Sequence, residues 1–408
     1  MSRRRLLASA GLGAAGVGLG AGGYLIGHDN AEAAEVPGTG PVAFYGDHQA
    51  GIATPVQDRL FFASFDLETE SKAELQELMQ EWTKAAVEMS EGRMIGTEND
   101  VLLAPPDDTG EARGLPASNL TITFGFGPSV FERPGLGLAA QRPEVLKPLP
   151  PLPGDELNGL ESDGDICIQA CADDPQVVFH AIRDLARIGR GTVTLRWSQL
   201  GFGRTSTTSR DQETPRNLFG MKDGTANIKS QDTEAMDRYV WVDEGPAWMR
   251  GGSYVVTRRI RQILEVWDRS ALLDQEETIG RRKYSGAPLG EESEFDPLPL
   301  DVKGDDGKPV IPLNAHVRLA SAQENDGIRI LRRGFSFTDG VDQSLGELEA
   351  GLFFIAFQRD PEKQFVALQR KLGVHDALNE YIQHVGSAVF AVPRGIEPGE
   401  YVGQGLLG

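Results

Sequence analysis

Cysteine is the scarcest informative residue in this chain of 408 residues, with only Cys167 and Cys171. In a strand, residues four apart share a face but lie roughly 13 Å apart at about 3.3 Å per residue, beyond the reach of a disulfide. Their spacing matches neither a zinc-binding nor a redox pattern, so they read as two small buried thiols. Positive charge is also short. Lys and Arg total 40 against 60 Asp and Glu, a net charge of −20, which excludes nucleic acid and an anionic membrane surface as natural partners. No dinucleotide-binding fingerprint follows any candidate strand: Gly135-Leu136-Gly137 has the glycines but sits in a loop after Pro134, the wrong context for that chemistry. Histidine is rare enough, at six, that each can be weighed singly.

What is present begins at the N-terminus. Ser2-Arg3-Arg4-Arg5-Leu6-Leu7 is a basic start with a twin arginine, followed by a mildly apolar Gly/Ala-rich run through Leu25-Ile26 and the small-residue site Ala31-Glu32-Ala33. These features predict a twin-arginine (Tat) export signal over residues 1–33, cleaved rather than kept as an anchor because its glycines weaken membrane insertion. That signal engages the Tat translocase and places the mature chain in the periplasm, the cell envelope or outside the cell. A linker over 34–41 follows.

Leu60–Leu67 reads as a strand, and Thr69 to about Met89 as a helix with apolar Leu75, Leu78, Met79, Trp82, Ala86 and Met89 at spacings of three and four. Ser71 and Glu74 have the spacing of a capping box. Strands are predicted over 120–126, 166–171 and 192–197, with a helix from Pro175 to about Ile188. Two β-α-β passes in succession predict a ferredoxin-like αβ sandwich. The pattern restarts after residue 215: strands over 252–260, 328–337 and 351–358, helical pieces over 261–268 and 275–281, an acidic loop over 290–309, a helix from Pro361 to about Leu372 and a closing strand over 389–392.

The densest loop is Asn217-Leu218-Phe219-Gly220-Met221-Lys222-Asp223-Gly224-Thr225-Ala226-Asn227, too broken for a helix and too polar for a core strand. Glycine there permits positive φ and close approach of backbone to another group, so Asp223 reads as an acid held at a pocket. By itself it also suits a turn-forming Asx residue. His180 lies mid-helix, where a core or surface role is ordinary, and His48 sits on a loop where it could touch a cofactor. His316 stands apart, at the end of the acidic loop in Asn314-Ala315-His316-Val317-Arg318. The strand carrying Arg332 and Arg333 follows closely. Successive strand residues face opposite ways, so only one of those two arginines can reach a given pocket, and Arg332 is preferred.

His48-Gln49-Ala50-Gly51-Ile52, Gly164-Asp165-Ile166-Cys167-Ile168-Gln169, Gly220-Met221-Lys222-Asp223-Gly224-Thr225, His316-Val317-Arg318 and Leu331-Arg332-Arg333-Gly334 occur in that order after the export signal. Together they resemble the dye-decolourising (DyP-type) haem peroxidases, in particular the Tat-exported branch related to iron-uptake peroxidases, over nearly all of residues 42–405. The resemblance implies an α+β fold of two ferredoxin-like domains of the dimeric α+β barrel type, over 42–215 and 216–405, with haem b held mainly by the second. It implies His316 as the axial iron ligand, Asp223 and Arg332 as the distal pair, and Gly224, Thr225, Ala226 and Gln323 along the haem. Its substrates would be hydrogen peroxide and dyes, phenols or other broad electron donors; an iron-uptake permease and lipoprotein are the partners of the alternative role in iron acquisition.

The residue types suit that chemistry. A neutral imidazole donates to iron, more strongly when its other nitrogen has an acceptor. An acid–base group in reach of peroxide can move its protons, and an arginine stabilises the negative charge that develops. One departure stands out. Family members often carry Asn-Pro-Arg, with its arginine on a haem propionate, where this chain has Ser321-Ala322-Gln323. Arg281 and Arg333 are then the substitute cations to consider. Trp241, Trp248 and Tyr239 are candidates to relay electrons to the surface.

Overall fold

A computed structural model describes residues 39–97 and 101–408. The twin arginine, the Gly/Ala-rich run, the Ala31-Glu32-Ala33 site and most of the linker lie outside the described residues. Among the described residues, no helix is long and apolar enough to cross a membrane.

The strands are β1 (Arg59–Leu67), β2 (Thr121–Phe126), β3 (Ile166–Ala172), β4 (Val193–Arg204), β5 (Ser253–Gln262), β6 (Leu331–Arg332), β7 (Phe335–Asp342), β8 (Glu347–Gln358) and β9 (Ile382–Val392). The α-helices are α1 (Lys72–Ser90), α2 (Pro175–Ile188), α3 (Thr233–Tyr239), α4 (Leu264–Trp267), α5 (Leu272–Ile279), α6 (His316–Leu319), α7 (Ala367–His375) and α8 (Gln404–Leu407). In the first half the strands lie in the order β2-β3-β1-β4, all antiparallel, with α1 and α2 as crossovers. That is the ferredoxin-like arrangement. The second half repeats it as β7-β8-β5-β9, with the short β6 added beside β8. β4 then pairs β7 through Phe202↔Ser336, and β2 pairs β9 through Phe126↔Ala391. Two edges of each half are thus closed against the other, which removes the unpaired rims that open sheets must protect.

The strand period of two separates two cores. Leu60, Phe62, Cys167, Cys171, Val255, Phe335, Phe353 and Phe390 form one cluster, while alternate residues such as Ala63, Phe65, Ile168 and Ile166 join α1 and α2 in another. Both cysteines are free and buried in the first cluster, as their spacing predicts. Burial pushes the Cys171 thiol up to about 11, against the pull of Arg333.

α1 is capped by Ser71, whose side chain accepts from the Glu74 backbone N–H. The capping box is one-sided: Glu74 Oε2 accepts from the Thr69 hydroxyl at 2.5 Å. α2 spans the predicted residues, opened by Asp174, which accepts from Gln176 and Val177 N–H groups. Several elements differ from expectation. β4 runs on to Arg204 and β9 starts at Ile382. The single strand predicted over 328–337 is two pieces, because Arg333-Gly334 interrupts it. The helix predicted from Pro361 opens with a π turn over Glu362–Val366 before α7. α3 carried no recognised pattern.

Candidate active site

The loop from Arg216 to Asn227 is a small hairpin. Arg216 and Lys222 form a bridge, Asn217 N–H donates to Met221 O at 3.1 Å, and Gly220 N–H to Asn217 O at 2.9 Å. Asp223 N–H donates to Pro215 O at 2.9 Å, which fixes the acid's own backbone. Gly224 has φ +85°, and a Cβ there would lie 2.8 Å from the Ser206 Cα. Only glycine meets both demands.

The Asp223 carboxylate has two partners. Arg332 Nη1 donates to Oδ1 at 2.8 Å, and Asn217 Nδ2 donates to Oδ2 at 3.1 Å. Asp223 and Arg332 come from a loop and a strand 109 residues apart in sequence. The side chains of Asp223 and Arg332 are 14% and 27% exposed, so the pair is half-buried instead of being sealed in the core. Arg333 goes the other way. It is fully buried and donates to Thr54 O and Gln57 Oε1, and burial lowers its pKa.

The loop is anchored by Glu294 from the acidic segment. Its Oε2 accepts from Lys222 Nζ and its Oε1 from the Thr225 hydroxyl at 3.0 Å. Burial opposes the charge on Glu294, but its hydrogen bonds from Lys222, Thr214 and Thr225 outweigh that and hold its pKa low. Ala226, at the far end of the loop, offers its carbonyl to Arg329 Nη2 at 3.5 Å, and the Arg329 guanidinium lies 5.9 Å from the Tyr239 ring centre.

His316 opens α6, and its Nδ1 is 2.6 Å from Asp376 Oδ2. Asp376 is itself fixed, because its Oδ1 accepts from Leu378 N–H at 2.9 Å. Burial works against a charged His316, yet the Asp376 carboxylate raises its pKa overall; Arg332 opposes and Asp223 assists. The charges of Arg332 and Asp223 thus reach His316. With Nδ1 committed to Asp376, Nε2 is left as the electron-pair donor, the arrangement of a metal-ligating histidine with an orienting carboxylate. A histidine oriented by a carboxylate fits the haem that the sequence resemblance implies.

Asp376 and Asn217 are contributors that sequence reasoning missed. Nothing in the string marks Asp376, which meets His316 across 60 residues. Nothing in the sequence singles out Asn217 within its loop as the second partner of the Asp223 carboxylate. Gln323 lies exposed on the 3₁₀ turn Ala322–Glu324. The substitute cations proposed for the Ser321-Ala322-Gln323 departure do not serve: Arg333 is turned into the core, and Arg281 spends its Nη1 on Gly286 O and Glu294 O. Arg329 is the half-buried cation that the loop end does carry. His48 stacks on Trp241 at 3.6 Å and bonds Gly251 O, and Trp248 packs on Phe131. Of the three relay candidates, only Tyr239 adjoins Arg329.

Among the described residues, the one His–carboxylate grouping suited to a metal is Asp108, His180 and Asp184. The Thr109 hydroxyl sits within it, 2.9 Å from Asp184 Oδ2 and 3.5 Å from His180 Nδ1, so the group ties the loop to α2 by itself.

Comparison with known proteins shows the family. The family model described as Dyp-type peroxidase, N-terminal, matches residues 49–203, and its C-terminal counterpart matches 214–397. The chain is 39% identical over 372 residues to a protein of Escherichia coli named deferrochelatase, covering 89% of this chain and 86% of that one. The Shigella flexneri deferrochelatase is 38% identical over 421 residues, covering 100% of this chain and 97% of that one. Among solved structures, a DyP-type peroxidase from Streptomyces coelicolor superposes with a TM-score of 0.84 at 42% identity, covering 91% of this chain and 98% of that one. A DyP-type peroxidase from Cellulomonas bogoriensis superposes with a TM-score of 0.81 at 38% identity, covering 91% and 99%.

Proposed function

The chain belongs to the Dyp-type peroxidase family and is a haem peroxidase, and from that premise we propose that Asp223 and Arg332 handle peroxide opposite His316 in an exported enzyme that oxidises dyes, phenols or other broad donors. The observation that carries the reading is the Arg332–Asp223 contact at 2.8 Å, together with His316, whose Nδ1 is held by Asp376 and which feels the charges of both.

Haem b, when bound, supplies the iron that accepts peroxide and the oxidising power passed to the donor. His316 Nε2 would hold that iron. Asp376 accepts the Nδ1 proton, fixes the ring's tautomer and raises the basicity of Nε2. Asp223 takes a proton from one peroxide oxygen and returns it to the departing one, which needs a carboxylate within hydrogen-bond reach of both. Asn217, bonded to Oδ2, holds that carboxylate in place while Arg332 occupies Oδ1. Arg332 stays charged and stabilises the negative charge that develops as the O–O bond breaks. Gly224, Thr225 and Ala226 would line the haem, with Thr225 held by Glu294, and Gln323 would flank it from the turn after α6. Arg329 would be the cation to offset a haem propionate in place of the arginine missing at Ser321-Ala322-Gln323.

The N-terminal pattern supports export through the Tat translocase, which carries folded, cofactor-loaded proteins. Separately measured rates of peroxide reduction in Asp223→Ala and Arg332→Ala test the distal roles; wild-type rates in both would contradict them.

The name deferrochelatase, borne by relatives covering this chain almost end to end, supports a second reading: release of iron from haem within an iron-uptake system. Incubating the reduced, haem-loaded protein and looking for the fluorescence of metal-free porphyrin separates the two. Porphyrin formed in step with iron release favours the second reading, and intact haem with sustained peroxide turnover favours the first.

A further inference from the structure

β6 is two residues long and pairs with β8 on one edge only, Leu331 opposite Phe357 and Arg332 opposite Ala356. Toward β8 the bond is made by the next residue, Arg333 N–H to Ile355 O at 2.8 Å. In an extended chain successive N–H and C=O groups alternate sides, so the backbone groups of Arg332 point to the unpaired edge. Among the described residues, no strand lies there. Asn227 does. Its Oδ1 accepts from Arg332 N–H at 2.8 Å, and its Nδ2 donates to Arg332 O at 2.8 Å. The same Nδ2 also donates to Thr207 O at 2.9 Å, and the Ser206 hydroxyl adds a bond to Arg332 O at 2.9 Å.

A side-chain amide is among the few groups that present a donor and an acceptor side by side, and here it stands in for the missing strand. Asn227 is 7% exposed, so water cannot readily replace either bond. It also belongs to the Asp223 loop, tied to it by Asn227 N–H to Gly224 O at 3.0 Å. One loop therefore carries both the carboxylate and the brace on the backbone of its cationic partner. Arg332 is thus tied to that loop twice, by its backbone to Asn227 and by its guanidinium to Asp223.

We infer that Asn227 is a positioning residue for peroxide reduction, acting through the backbone of Arg332, an inference that rests on the distal role proposed for Arg332. A displacement of about 1 Å at a reacting group costs about a hundredfold in rate, so Asn227→Ala lowers kcat/KM for hydrogen peroxide by about a hundredfold without removing any group that touches peroxide. Because it acts through Arg332, its effect vanishes once Arg332 is gone.

The experiment compares the haem-loaded full chain as wild type, Asn227→Ala, Arg332→Ala and the double variant, with haem content read from the Soret band. In parallel, amide hydrogen exchange at Arg332 is followed in wild type and Asn227→Ala. The expected result is a double variant no slower than Arg332→Ala, with the Arg332 amide exchanging about tenfold faster, the worth of one hydrogen bond. Should Asn227→Ala not fold, Asn227→Asp keeps the acceptor for Arg332 N–H and loses the donation to Arg332 O, and its rate falls between wild type and Arg332→Ala. Multiplied effects in the double variant, a wild-type rate in Asn227→Ala or Asn227→Asp, or unchanged exchange at Arg332 would overturn the inference while leaving the distal role intact. A wild-type rate in Arg332→Ala would overturn the distal role and the positioning role together, and the exchange measurement would then show whether the brace exists as a purely structural one.

Discussion

The two halves of the barrel use the same four-strand plan to opposite ends. In the first, the crossovers are packing elements: α1 and α2 cover the sheet, and Trp82, fully buried on α1, donates its indole N–H to Leu185 O of α2 at 2.7 Å. In the second, the crossover from β5 to β7 spans residues 263–334 and holds short helices, the acidic segment, His316 and Arg332. The linker between halves brings Asp223. Repeating a fold while lengthening one connection lets a rigid sheet aim loop-borne groups, in keeping with the tendency of functional residues to sit on loops over a stable scaffold. If that division holds, damage to the first half should appear as lost stability and damage to the second as lost chemistry.

The largest expected effect is at His316. Replacing it with Ala removes the proposed iron ligand, and the purified full chain should lack the wild-type Soret signature while keeping its circular dichroism. Trp82→Ala tests the other side. Emptying a buried aromatic site costs about 3–5 kcal/mol, seen in denaturant melts, whereas turnover per haem in the folded fraction should stay at the wild-type value. A changed turnover there would break the division between halves. Asp376→Asn should weaken haem retention about 10–100-fold, as loss of an orienting partner does, measured by haem transfer to apomyoglobin.

The smallest effect concerns pH. Burial, and then Arg332, push Lys229 down to about 8 from the ordinary lysine value of 10.5, against the pull of Glu294. Between about pH 8 and 10.5 the folded form has released this proton while the unfolded form still holds it, so this group makes stability rise with pH across that window. Lys229→Met should remove that rise and stabilise the protein below pH 8; thermal melts across the window check it.

Much of the fold was legible because its signals are local. The apolar spacing on α1 and the Asp174-Pro175 opening of α2 specify those helices, and both are where they were expected. The strand ends were not legible. The first residues of β9 include Gln383, His384 and Ser387, which look like loop chemistry but are paired against β5. Of the site, the Asp223 loop stood out by its glycines and His316 by its rarity. Asp376 and the brace at Asn227 did not, since each acquires its role only when elements far apart in sequence meet. Arg281 and Arg333 misled for the converse reason: charge is visible in a sequence, but the direction a buried arginine turns is set by the carbonyls and side-chain oxygens that satisfy it.

The central claim is that the loop-borne acid moves the protons of peroxide opposite His316. Stopped-flow mixing of haem-loaded wild type and Asp223→Ala with hydrogen peroxide, followed at the Soret band, tests it most directly. A fall in the second-order rate of about 10²–10⁴, the usual worth of a positioned acid–base group, is the result predicted. An Asp223→Ala protein that reacts as fast as wild type, with full haem content, would contradict it.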